Sequence, residues 1–257
     1  MATPDEFLSV FEKLWIAFRA EWCDEHDLGG ALAFGHDRVK TDFFHRVVRV
    51  RVDDERVDRL VDDALHLFQD KGFDCTFTLS PQDRPLDLGR RLEGRGFERG
   101  ILASAMMRDA DRAPSPVPTV ARVDVSDESE YEVWADVTCR CFGHPAEMGE
   151  VGRSVLVTPE VRRYLARVDG APAGATLLCS RFDMGYLDLV GTLPEHRRKG
   201  VASALLRRAV ADSQSLGNRW TSLEVVTGSD AERLYERSGF HTVYHRHRYT
   251  KVLERRE

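Results

Sequence analysis

The run Leu187-Asp188-Leu189-Val190-Gly191-Thr192-Leu193-Pro194-Glu195-His196-Arg197-Arg198-Lys199-Gly200-Val201-Ala202 constrains the fold more than any other part of the chain. A largely apolar strand segment ends at a proline, and three basic residues follow. A glycine then opens a stretch whose apolar residues 201, 205, 206, 209 and 210 recur at helical spacing. A strand that passes through a short loop into a helix predicts an α/β (α+β) architecture, a sheet flanked by helices. The joint is chemically restrictive as well. The first turn of a helix has N–H groups without intrahelical partners and a partial positive charge. Small residues at 200 and 202 let an anion approach those groups, and Arg197, Arg198 and Lys199 add charge. The joint therefore reads as a diphosphate cradle, or more plainly as a solvated basic turn that caps a helix. The Gly-Lys-Ser/Thr ending of a Walker loop and the glycine pattern of a dinucleotide fingerprint are both missing from it.

Helix and strand signals alternate on either side. In the C-terminal part, a capped acidic start at 126–130 predicts a helix through Trp134 towards Cys141. Strands are expected at 161–168 and 173–179, joined by the turn Asp169-Gly170, and at 184–192. A helix over 201–216 stops at Gly217, followed by a strand at 221–226, a helix at 230–238 and one or two closing strands over 240–253. The N-terminal part has a similar rhythm: helix 7–22, strand 43–52, helix 56–71, strand 73–79, helix 86–94 and closing strand 97–108. Both parts carry a helix that runs into Gly-Phe and then a strand, at Gly94-Arg95-Gly96-Phe97 and Arg237-Ser238-Gly239-Phe240. Two copies of one unit are expected, the first degenerate. Three prolines in the five positions 114–118 make a stiff linker, so the 257 residues divide into an N-terminal domain 1–112, a linker 113–118 and a C-terminal domain 119–257.

The cradle and a second element downstream, Ala231-x-x-Leu234-Tyr235-x-x-x-Gly239-Phe240, together resemble the GNAT superfamily of N-acetyltransferases. Arg197, Gly200 and Ala202 match that family's acyl-CoA signature, Arg/Gln-x-x-Gly-x-Gly/Ala. The two elements span about residues 185–245, and the strand order fits from about residue 120 onward. The resemblance implies a GNAT-type mixed sheet whose central strands splay, built as two tandem GNAT-like units of which only the C-terminal one is intact. Acyl-pantetheine would enter between the strands, with its amides on the backbone of Val190, Gly191 and Thr192. Arg197, Arg198, Lys199, Gly200, Val201 and Ala202 would hold the diphosphate.

The implied activity is acetyl transfer from acetyl-CoA to an amine acceptor. The family's tyrosine at the position of Tyr235 lies near the CoA sulfur and protonates the departing thiolate. With an ordinary pKa near 10, Tyr235 is protonated at neutral pH. Strand alternation puts Asp188, Val190 and Thr192 on one face, which makes Asp188 a candidate base. Glu224 on the next strand is the rival, some family members use ordered water, and either carboxylate can instead serve the sheet as a hydrogen-bond partner. The chain departs from the family at Gly228, where many members have Asn, so one supporting cofactor contact is not expected there. The alternative is an acyl-CoA-binding scaffold without turnover, which the intact loop and Tyr235 argue against. The N-terminal part has Asp53-Asp54-Glu55 after its first strand, and this charge repels phosphate.

Other classes are disfavoured. A net charge of -6 opposes a nucleic-acid partner, despite the Arg-rich stretch 246–256. Apolar runs fall far short of the roughly 18 residues of a membrane span. The first residues lack the basic start and apolar stretch of a signal peptide, and five Cys without a CxxC pair read as reduced thiols, so a cytoplasmic protein is expected. His241, His245 and His247 have no clustered Cys or well-spaced third ligand, and Cys139 and Cys141 diverge on their predicted helix, so no metal is expected. An exposed sheet edge leaves a homodimer open.

Overall fold

The computed structural model describes residues 3–39, 43–111, 119–156 and 158–253. Its helices are α1 (Pro4–Ala20), α2 (Val57–Lys71), α3 (Leu88–Gly94), α4 (Tyr131–Phe142), α5 (Glu147–Leu156), α6 (Val201–Ser215) and α7 (Asp230–Arg237). Its strands are β1 (Asp24–Asp27), β2 (Leu32–Gly35), β3 (Arg46–Val48), β4 (Cys75–Leu79), β5 (Glu98–Asp109), β6 (Arg122–Ser126), β7 (Val161–Val168), β8 (Ala171–Arg181), β9 (Met184–Thr192), β10 (Trp220–Val226) and β11 (His241–Lys251). Among the described residues, no helix is long and apolar enough to cross a membrane.

These elements form two compact units. The first holds the described residues of Met1–Phe18 and Ala105–Val243, the second those of Arg19–Ser104 and Tyr244–Glu257. In the first unit the strand order is β5-β10-β9-β8-β7-β6. Strands β6 to β9 pair antiparallel, while β9 and β10 run parallel, so the sheet is mixed. On one face, Leu205, Leu206 and Ala209 of α6 and Tyr235 of α7 pack with Leu178, Leu187 and Leu223. The opposite face carries Tyr186, since neighbouring strand residues point to opposite sides. Phe11 and Phe18 of α1 meet its ring edge-on at 5.7 and 6.2 Å, and Phe7 meets Trp220. Positions 7, 11, 14, 15 and 18 of α1 recur at helical spacing and are all buried, which is what an amphipathic helix on a sheet requires. From α4, the Trp134 indole N–H donates to the Thr176 carbonyl at 3.0 Å.

In the second unit the order is β1-β2-β3-β4-β11-β5, with β3 and β4 parallel at Val47 and Phe77. Its core joins Leu60, Val61 and Phe68 of α2 to Phe77, Leu88, Phe97 and Tyr249. The chain therefore repeats one run, strand, helix, parallel strand, helix, closing strand: β3-α2-β4-α3-β5 and β9-α6-β10-α7-β11. In each, the closing strand follows a glycine in the left-handed region, Gly96 at φ 81° and Gly239 at φ 91°. The repeat expected from the two Gly-Phe joints is present in the fold.

The compact units do not follow the linear division expected at 113–118, a segment that lies outside the described residues. Two exchanges are responsible. Helix α1 buries its phenylalanines in the first unit, and the closing strands are divided, β5 after Ser104 and β11 after Val243. Met106 of β5 lies in the core with Leu187, and Tyr249 of β11 lies in the core with Phe77. The expected strand 43–52 shrinks to β3 because Arg49 takes φ 54°, which ends extended structure. Strands β1, β2 and β6 and helix α5 are additional to the expected elements.

If α1 belongs to the first unit's core, truncating a ring that is 1% exposed should cost as much as a core deletion. Phe11→Ala should lower the unfolding free energy by about 3–5 kcal/mol in urea denaturation, and a loss below about 1 kcal/mol would show that α1 contributes no core packing.

Candidate active site

The site begins where two parallel strands part. Strand β9 is in register with β10 from the pair Met184–Trp220 to the pair Leu187–Leu223, yet β9 runs on to Thr192 and β10 to Val226. On its other edge, β9 pairs Asp188 with Leu177 but Gly191 with Ala175, so it holds one residue more than β8 over this stretch. The excess is a bulge at Leu189, whose φ is 55°. A leucine in this region costs about 1–3 kcal/mol and persists only where its surroundings hold it. Here the Leu189 N–H donates to Asp188 Oδ1 at 2.9 Å, and Thr176 Oγ1 donates to the Asp188 carbonyl at 2.9 Å. The bulge also corrects the expected alternation of Asp188, Val190 and Thr192. Leu187 and Val190, three residues apart, pack into the same cluster under α6 and α7, so one-face alternation does not hold across Leu189.

Beyond the bulge, a Cβ on Gly191 would lie 2.6 Å from Cys141 Cβ and 3.0 Å from the Phe142 ring, so only glycine lets α4 approach the strand this closely. Thr192 then leads into the basic loop. Arg197 Nε donates to the Thr192 carbonyl at 3.4 Å, Arg198 sits at φ 65° and Gly200 at φ 77°. Gly200 is the N-cap of α6 and offers no side-chain cap, so the first-turn N–H groups face outward uncapped.

A cleft of about 860 Å³ opens at this helix end. Thr192, Arg197, Arg198, Gly200, Val201 and Ala202 line it on one side, and Asp230, Ala231, Arg233, Leu234 and Arg237 of α7 line it on the other. Lys199 is exposed, and neither it nor Val190 nor Gly191 is among the lining residues. Gly228, the departure from the family pattern, has φ 78°, and its N–H donates to Glu232 Oε2 at 2.6 Å. Ser229 Oγ accepts from the Glu232 N–H at 3.1 Å, which closes the entry of α7. The sequence reading missed Arg233 and Arg237. Their signal was the spacing Asp230, Arg233, Leu234, Arg237, one helical face.

Tyr235 points inward from α7 into the cluster with Leu187, 7% exposed, its ring 6.1 Å from that of Phe240. Burial first, and the negative charge of Asp188 second, push its hydroxyl above the ordinary tyrosine range. Tyr235 and Asp188, both expected from sequence, are thus within electrostatic reach of each other. Asp188 and Glu224 each stand one residue past the last register pair, Leu187 with Leu223, so both carboxyl groups are at the parting of the strands. Glu224 is half-buried.

The other candidates lie apart. His241 is exposed, while Ser104 Oγ is 3.3 Å from His245 and Arg99 is beside His247 in the second unit. Among the described residues, no three His, Cys, Asp or Glu side chains are grouped to hold a metal. Cys139 Sγ donates to the Pro145 carbonyl at 3.5 Å, whereas Cys141 abuts Gly191, its thiol pushed up to about 11 by burial.

Residues 128–240 match the model of the acetyltransferase (GNAT) family. No curated protein matches the chain. The fold is similar to that of a GCN5-related N-acetyltransferase from Kribbella flavida, with 18% identity, a TM-score of 0.74 and coverage of 94% of both chains. It is also similar to a GCN5-related N-acetyltransferase from Sphaerobacter thermophilus, at 20% identity and a TM-score of 0.67 over 89% of this chain and 78% of that one. A tandem GNAT protein from the clavulanic acid biosynthesis pathway is similar at 14% identity and a TM-score of 0.62, over 86% of this chain and 78% of that one. The parted strands, the uncapped helix end and Tyr235 all fall inside the matched segment, and the chain therefore carries a domain of the acetyltransferase (GNAT) family over residues 128–240.

Proposed function

We propose that the chain is an N-acyltransferase that moves an acetyl group from acetyl-CoA to a primary amine of a small molecule or protein, by direct attack of the amine on the thioester. The observation that carries this reading is the end of the β9–β10 register at Leu187 and Leu223, with the uncapped start of α6 following β9 and the buried Tyr235 of α7 packed in one cluster with Leu187. The donor set fits acetyl-CoA. The N–H groups of Val201 and Ala202, with Arg197 and Arg198, suit a diphosphate, and Lys199 adds its charge from outside the cleft lining. Once β10 has diverged, the edge of β9 at Val190, Gly191 and Thr192 presents backbone groups that the pantetheine amides can pair with. Acetyl-CoA supplies an activated acyl group and a thiolate leaving group.

The residues of the chain then divide the work. The N–H at Val190 donates to the carbonyl oxygen as negative charge grows on it. Tyr235 gives its proton to the departing sulfur, and its raised pKa keeps that proton in place at neutral pH. Asp188 or Glu224, at the parting of the strands, takes the proton of the amine directly or through water. Such a reaction implies a cytoplasmic protein.

The experiment is calorimetric titration with acetyl-CoA, followed by amine turnover. Wild type should bind. Gly200→Glu puts a carboxylate where the diphosphate sits and should weaken binding about a hundredfold or more, since like charges 4 Å apart repel by about 4 kcal/mol at an effective dielectric near 20. Tyr235→Phe should keep its affinity for acetyl-CoA but lose about a hundredfold in kcat. No binding by wild type would sink the cofactor assignment, and binding without transfer to any amine would leave a CoA-binding scaffold.

The pH profile gives a separate check. A raised pKa holds the neutral hydroxyl beyond the pH at which free tyrosine ionises, so Tyr235 should cause no loss of kcat up to about pH 10, and the Tyr235→Phe defect should be constant over that range. A wild-type kcat that falls from about pH 9 and is halved near pH 10, with the fall absent in Tyr235→Phe, would show that the hydroxyl titrates normally.

A further inference from the structure

The second unit has a cavity of its own, with His245 and His247 in its wall. It has a volume of about 570 Å³ and is lined by the end of β4, the chain that leads into α3, and β11. That volume is within the range of about 300–1,000 Å³ that small-molecule sites occupy. Every lining residue belongs to the second unit and falls outside residues 128–240. Alternation along β11 puts His245, His247 and Tyr249 on one face, and His247 is the register partner of Leu79, which also lines the cavity. Burial first, and the charge of Arg99 second, hold His247 below the ordinary histidine range, so its ring is neutral and offers a flat face. Tyr244, Pro81 and Pro85 add further flat or apolar surface. Leu86 lines the cavity yet is 82% exposed, an apolar side chain for a ligand to cover.

The polar groups of the wall divide into satisfied and unsatisfied ones. Asp83 accepts from the Ser80 N–H at 2.5 Å and from Arg51, and Asp87 accepts from Arg91 Nε at 3.0 Å. Arg90 has no partner among the described residues. Neither has the hydroxyl of Tyr249, although that residue is only 7% exposed. This hydroxyl is set against α3, where a Cβ on Gly89 would run into it and lie 2.8 Å from Tyr249 Cζ. A buried hydroxyl without a partner is costly, and a ligand that accepts its hydrogen bond removes the cost. Arg90 follows Gly89 directly, so the free guanidinium and the free hydroxyl meet the same turn of α3.

We propose that this cavity binds a small planar aromatic carboxylate, its ring against Tyr244, His247 and the two prolines and its carboxylate on Arg90 and the Tyr249 hydroxyl. A guanidinium meets a carboxylate in a bidentate manner, and a phenol O–H donates to the same group. A cationic amine is the poorer fit, because Asp83 and Asp87 already hold arginines. The site stands apart from the acyl-CoA reading, and neither depends on the other.

The test is titration of the full chain with benzoate, benzamide and benzylamine, followed by NMR of the histidine ring protons in wild type, Arg90→Ala and Tyr249→Phe. Wild type should bind benzoate with a Kd of about 1 mM or tighter, and the rings of His245 and His247 should shift as it binds. Benzoate should bind about tenfold tighter than benzamide, the worth of one charge-assisted contact. Arg90→Ala should bring benzoate down to the level of benzamide, whose own affinity stays at the wild-type value and so reports an intact cavity. Tyr249→Phe deletes only the hydroxyl and should weaken benzoate about fivefold. The site would be overturned by the absence of any saturable shift in wild type, or by benzylamine binding tighter than benzoate. Benzoate affinity unchanged in Arg90→Ala would also overturn it, as would an Arg90→Ala variant that loses benzoate and benzamide alike.

Discussion

One surplus residue in β9 shapes the strand edge at the candidate site. Between Gly191 and Asp188, β9 must fit an extra residue against β8, and the bulge at Leu189 takes it up. A bulge bends its strand and increases its twist. The register of β9 with β10 ends at the pair just before it, Leu187 with Leu223. The strain is held from two sides, by the Asp188 carboxylate on the Leu189 N–H and by the Thr176 hydroxyl on the Asp188 carbonyl. Glycines then let the neighbouring layers close in. A Cβ on Gly174 would lie 2.6 Å from the Gly191 carbonyl oxygen and 2.7 Å from Val201 Cγ1, so the start of α6 can settle directly on the sheet beside the gap.

The same placement sets the electrostatics. On the surface side, the gap meets an uncapped helix start and guanidinium groups, an environment made for anions. On the interior side it meets Tyr235, buried among apolar side chains with a carboxylate in reach, where a neutral proton donor is favoured over a phenolate. Opposite demands are met a short distance apart because α6 and α7 cover the same face of the sheet and turn different sides to it. The second unit shows the contrast. Where the first has Gly200 and basic residues ahead of α6, the second has Asp53, Asp54 and Glu55 ahead of α2, and Asp54 is bound to Arg91.

Local signals were legible in the sequence, and pairings between distant segments were not. The strands at 161–168 and 184–192 and the helix from 201 were readable because their turn residues and periodicities are local: Asp169 at φ 51°, Gly170 at φ 81°, and the stripe of Val201, Leu205 and Val210. The exchange of β5 and β11 was not, since nothing within either strand names its neighbour. The polar β1 (Asp24–Asp27), mostly exposed, lacks the alternation that marks a half-buried strand. In the site, the glycine and basic residues marked the loop that lines the cleft, and Tyr235 marked the buried side of α7. The bulge did not, because Leu189 is an ordinary leucine forced to φ 55° by its neighbours, and alternation therefore failed across it. Arg233 and Arg237 resembled solvated surface charge until α7 was seen to line the cleft.

The account's central claim is that the gap between β9 and β10 is a slot for acyl-pantetheine. A crystal structure of the protein grown with saturating acetyl-CoA tests it most directly. The account predicts pantetheine in the gap beyond Leu187 and Leu223, its amides on the backbone of Val190 to Thr192, and the diphosphate at Val201 and Ala202. Acetyl-CoA bound elsewhere, with β9 and β10 zipped together past that pair, would contradict it.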